Sequence, residues 1–127
     1  MHAVIAFSAL PLCLGALLSD WAYASSHQVQ WTNFSSWLIA GSLPFIGLAL
    51  LWGGVDAIRG TAMRQRRGAL YLLLLAAAFV LGFVNALVHA RDGWAVMPTG
   101  PALSAVVLLL GVIASVIGLM MGRRRAA

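Results

Sequence analysis

Four long apolar runs, set apart by short polar stretches, make up almost the whole chain. They cover about residues 3–23, 34–58, 68–90 and 102–121. Each reaches the roughly 20 residues that an α-helix needs to cross about 30 Å of hydrocarbon. The runs are rich in Leu and Ala and lack two-residue alternation, so they predict helices rather than strands. The connections SSHQVQWTN, RGTAMRQRR and RDGWAVMPTG are too short to be further domains. The pattern predicts an all-α, polytopic membrane protein: one transmembrane domain over 1–127, built as a four-helix bundle.

Composition agrees. Of 127 residues, 62% are hydrophobic and 9% are charged, whereas a soluble domain carries about 25% charged residues. The net charge of +5 lies wholly on arginine, with no lysine. These arginines flank apolar runs rather than forming a nucleic-acid patch. Arg59, Arg64, Arg66 and Arg67 fall between the second and third helices, and Arg123, Arg124 and Arg125 follow the fourth. Two spans separate the clusters, so both can be cytoplasmic at once, with both termini inside. Trp21, Tyr23, Trp31, Trp37 and Trp94 are then expected at the outer interface, with Trp52 and Tyr71 at the inner one. Ala22-Tyr23-Ala24 resembles a signal cleavage site, but no Arg or Lys precedes the run and Asp20 sits just before the site. The first helix is therefore expected to stay.

Helices associate in lipid through small residues and partnered polar groups. Ser8, Gly15 and Ser19 form such a stripe on the first helix, and Gly41, Gly47, Ala49 and Gly53 on the second. Ala78 and Gly82 serve the third, and Ser104, Gly111, Ser115 and Gly118 the fourth. Pro11 and Pro44 are expected to kink the first two helices. Cys13 has no partner cysteine and reads as a small buried hydrophobe.

Ionisable groups inside a membrane are functional candidates. Asp56 reads either as an ion pair with Arg59 and the following arginine cluster or as a proton or substrate site. Asp20 reads as an exposed carboxylate or as a partner of Arg91. Asn85 and His89 share one face of the third helix with Gly82, which makes them the best candidate site. Their plainer reading is an interhelical amide hydrogen bond and a wet interfacial histidine. His27, in the outer loop, could approach His89 to hold haem b or a metal, while His2 belongs to the opposite side. No catalytic triad, phosphate-binding loop or cysteine pair is present, so no catalytic or resident-metal residues are assigned.

WTNFSSWLIAG, GGVDAIRG and NALVHAR, with ALLSD in the first helix, resemble the small bacterial membrane-protein family catalogued as domain of unknown function 2231. That family often opens with His-Pro, where this chain has His2-Ala3, and often has a histidine opening the third helix, where it has GALY. The resemblance implies a bacterial inner-membrane protein, with an anchoring or electron-passing role beside periplasmic dehydrogenases or cytochromes. The functions expected are a non-catalytic binding or scaffold subunit, alone or as a homo-oligomer, or a redox accessory binding haem b or quinone near the outer face. A small oligomeric transporter or channel is the third. The glutamate that small multidrug exporters use has no counterpart, because the chain contains no Glu.

Overall fold

The structure, a computed structural model, describes residues 2–60, 65–90 and 97–126. Arg64, Arg91, Asp92 and Trp94 lie outside the described residues. Five helices, α1 (His2–Ser8), α2 (Leu10–Ser26), α3 (Val29–Arg59), α4 (Arg66–His89) and α5 (Thr99–Ala126), form four spans. The first span is α1 and α2 together, interrupted at Ala9. Pro11 sits in the first turn of α2 and has no N–H to give to the carbonyl one turn back, which fixes the break there. Pro44 lies inside α3 without ending it. The described residues contain no strand.

The spans run up and down around a ring. The first packs on α3 and α5, α3 on α4, and α4 on α5, so the first span and α4 stand diagonally across the bundle. Arg59, Arg66, Arg67, Arg123 and Arg124 are exposed at one end, the arginine end, and the α2–α3 turn lies at the other. That turn is only His27 and Gln28, much shorter than the nine-residue connection expected. Its polar residues continue the helices, and serine hydroxyls 25 and 26 bond back to carbonyls one turn earlier.

The buried positions follow one rule. On α3 they are Thr32, Ser35, Ile39, Ser42, Ile46, Ala49 and Gly53, stepping by three and four residues alternately. On α4 the same steps pick out Gly68, Tyr71, Leu75, Ala78, Gly82 and Asn85. On α5 they pick out Gly100, Ser104, Val107, Gly111, Ala114 and Gly118. This heptad spacing keeps one seam inward along helices that wind about one another. Most of the seam is small or polar, with Ile39, Ile46, Tyr71, Leu75 and Val107 as its large residues, while most Leu, Val, Phe and Trp side chains face outward, as lipid permits. The backbones come close. A Cβ on Gly118 would stand 2.7 Å from Tyr71 and 2.8 Å from Ala3, and one on Gly82 would stand 2.9 Å from Leu43.

Some expected placements change. Ser8 is exposed, so it does not join the packing stripe of the first span. Tyr23 and Tyr71 face the core, at 4% and 0% exposure, whereas Trp21, Trp31, Trp37 and Trp52 face outward.

Candidate functional site

Near the end opposite the arginines, the inward seams of all four spans turn polar at one level. Asp20 comes from α2, Ser35 from α3, Asn85 and His89 from α4, and Ser104 from α5. Every one of them is buried, and Asp20 is fully so. The carboxylate of Asp20 is the hub. Its Oδ1 accepts from Ser35 Oγ at 2.6 Å and lies 2.7 Å from His89 Nε2, and its Oδ2 accepts from Ser104 Oγ at 2.6 Å. Asn85 Nδ2 donates to Ser104 Oγ at 3.0 Å, which extends the network one turn deeper.

The histidine is held on both sides. Its Nδ1 lies 2.9 Å from the Asn85 backbone carbonyl, and a carbonyl can only accept, so Nδ1 carries a hydrogen. The remaining proton lies between Nε2 and Asp20 Oδ1, and the pair is neutral as a whole on whichever atom that proton sits. A lone carboxylate at this depth would be costly, whereas a paired and fully hydrogen-bonded one is tolerated. Ser36 Oγ also reaches the His89 carbonyl at 3.3 Å, capping the last turn of α4 from α3.

The order of groups bears on chemistry. In a hydrolytic triad the carboxylate holds one ring nitrogen and the serine hydroxyl the other. Here Asp20 and Ser35 both sit on the Nε2 side, at 2.7 and 3.3 Å, and the hydroxyl proton is directed at the carboxylate. Ser35 is therefore not activated as a nucleophile. Beside Asn85, Ser104, Ser42, Cys13 and Gly82 lies a cavity of about 10 Å³, the size that holds one water molecule. Asn85 lines it, and its Oδ1 has no hydrogen-bond partner among the described residues.

A second histidine–aspartate pair lies at the arginine end. His2 Nδ1 is 2.9 Å from the Tyr71 hydroxyl, with the rings 5.1 Å apart, and His2 Nε2 is 3.6 Å from Asp56 Oδ2. Tyr71 and His89 are eighteen residues apart on α4. At about 1.5 Å per residue that is about 27 Å, most of a bilayer's hydrocarbon thickness.

Several sequence expectations are revised here. Asp20, expected as an exposed carboxylate or a partner of Arg91, is buried against His89, Ser35 and Ser104, and Arg91 lies outside the described residues. His89, expected to be wet, is 4% exposed. Asp56 has His2 as its ion partner rather than Arg59, because the broken first span brings the chain start over Tyr71. His27 is exposed at the α2–α3 turn with a left-handed backbone, φ 61°, while His89 faces inward. The structure does not place the two histidines in one cavity. Asn85 makes the interhelical bond expected of it. Ser35, Ser104 and Tyr71 were not singled out as site residues by sequence. The signal that marks them is their place in the three-four seam, where they carry hydroxyls among small residues.

No family model, curated protein or solved structure matches the chain.

Proposed function

We propose that the chain is a multi-pass protein of a bacterial inner membrane, with both termini cytoplasmic, that serves as a non-catalytic binding or anchoring subunit for a membrane or periplasmic partner. The observation that carries this is the closure of the Asp20–His89 pair. Both carboxylate oxygens of Asp20 and both ring nitrogens of His89 are bonded to the protein's own groups. The cavity beside them takes about one water, far below the roughly 300 Å³ or more of an ordinary ligand pocket. A network that satisfies its charged pair internally, with only the Asn85 amide oxygen left over, sets a bundle's geometry, and the outer surface is left for recognition. The resemblance to the domain of unknown function 2231 family points the same way, and its motifs supply Ser35, Asp56, Asn85 and His89.

The redox reading asks more of the site. Haem iron on His89 would have to displace either Asp20 or the Asn85 carbonyl. The transport reading meets a core in which Ile46, Ala49, Leu75, Ala78 and Ala114 are at most 2% exposed, between the two histidine–aspartate pairs.

One preparation tests all three. The protein, purified in mild detergent, is expected to show no Soret band before or after dithionite and to carry a stoichiometric partner through a second column. A Soret band that shifts on reduction would establish the redox role instead. Solute flux in proteoliposomes that Asp56→Asn abolishes would establish transport.

A further inference from the structure

At the arginine end an open groove of about 260 Å³ runs between α4 and α5. Its walls are Leu70 from α4 and Ile117 and Met120 from α5, and Arg67 closes its top. The spacing is regular. Arg67 and Leu70 stand three apart on one face of α4, and Ile117, Met120 and Arg124 follow at three and four residues on one face of α5. On α4 the groove is lined by Leu70 with Arg67 one turn before it, and on α5 by Ile117 and Met120, with Arg124 one turn beyond the lining. Arg67 and Arg124 are exposed, and neither has an ion pair among the described residues. Asp56, the acid nearest this end in the chain fold, faces His2 on the first span.

We infer that this groove binds one anionic phospholipid, its phosphate on Arg67 and Arg124 and the upper part of an acyl chain against Leu70, Ile117 and Met120. Charge complementarity selects the occupant: an apolar slot with one guanidinium group in its wall and a second one turn beyond it, neither ion-paired among the described residues, matches a molecule with an alkyl tail and a phosphate head. Arginine suits that head because its planar fork binds phosphate oxygens two at a time. A zwitterionic lipid fills the slot equally well but brings a cation beside the arginines.

The test uses the full chain in detergent, titrated with phosphatidylglycerol, phosphatidylcholine or inorganic phosphate and read by native mass spectrometry and thermal unfolding. Phosphatidylglycerol is expected to be retained over phosphatidylcholine, with retention falling about fivefold in Arg67→Gln and again in Arg124→Gln. Leu70→Trp, which fills the slot and keeps the charge, is expected to lower retention too, and Arg59→Gln, on α3, to leave it unchanged. Equal loss in Arg59→Gln would mean diffuse attraction to the charged end and would overturn the site. So would full retention in the Arg67→Gln/Arg124→Gln double variant, or inorganic phosphate stabilising as well as the lipid.

Discussion

His89 Nε2 lies 2.7 Å from Asp20 Oδ1, and the bond they share runs diagonally across the bundle, from α4 to a helix that is not its neighbour in the ring. His2 and Tyr71 make a second diagonal bond between the same two spans at the opposite end. Neighbouring helices are joined by their own bonds at the Asp20 end, Ser35 to Asp20 and Asn85 to Ser104 among them, and the diagonals tie together the two spans that do not pack on each other. With the neighbour bonds, the diagonals define the register of the bundle, and the following predictions probe them.

Removing one member of the buried pair leaves the other unmatched. Asp20→Asn and His89→Gln are each expected to cost about 3–5 kcal/mol. The double variant is expected to cost clearly less than their sum. Thermal unfolding in detergent measures this, and strict additivity would show that the two side chains are not energetically coupled.

The two serines on Asp20 are expected to differ. Ser35→Ala takes one donor from Oδ1, which keeps His89, and is expected to cost about 1 kcal/mol. Ser104→Ala takes the side-chain donor from Oδ2 and also strips Asn85 Nδ2 of its acceptor, beside an Oδ1 already unpartnered among the described residues. About 2–3 kcal/mol is expected there. Equal losses in a chemical or thermal unfolding series would contradict this account of the network.

At the arginine end, Tyr71→Phe keeps the ring against Gly118 and removes only the hydroxyl that meets His2. It is expected to cost about 1 kcal/mol. Gly118→Ala keeps the hydroxyl but drives a methyl group against both Tyr71 and Ala3, and about 1–3 kcal/mol is expected. Melting temperatures should rank Tyr71→Phe above Gly118→Ala, and the reverse order would mean that the contact yields easily.

The backbone at His27 is left-handed, with φ 61°, and its N–H closes the end of α2 on the Tyr23 carbonyl. Glycine accepts that conformation freely, while a β-branched residue resists it. His27→Gly is expected to match or exceed the parent stability by up to about 1 kcal/mol, and His27→Val to fall below it by about 1–2 kcal/mol. A stability loss in His27→Gly would give the imidazole a structural role of its own.

The four spans are legible because length and apolarity alone report them. The boundaries are less so: α3 begins at Val29, not at 34, since Gln30, Thr32 and Asn33 are polar residues carried by a helix rather than a loop. That extension, with α2 reaching Ser26, places Asp20 well inside its helix and explains why counting from the apolar run put it at an exposed rim. The site was half visible. Asn85 and His89 stand out as polar residues in an apolar helix, but Ser35 and Ser104 look ordinary until the three-four seam is traced. In water an amphipathic helix announces its buried face by hydrophobicity. Here the outside is the more hydrophobic side, so the inward face must be read from small and polar residues instead.

The diagonal between Asp20 and His89 also sets a timetable for assembly. A chain emerging from the ribosome delivers Asp20 first, Ser35 fifteen residues later, and His89 only after 69 residues. At about 5–20 residues per second that interval is roughly 3–14 s. Through it the newly made hairpin of the first span and α3 carries a carboxylate bonded to a serine but not yet neutralised. Until α4 arrives, burying Asp20 lacks the histidine that offsets its cost, so the first hairpin gains its full stability only with the second.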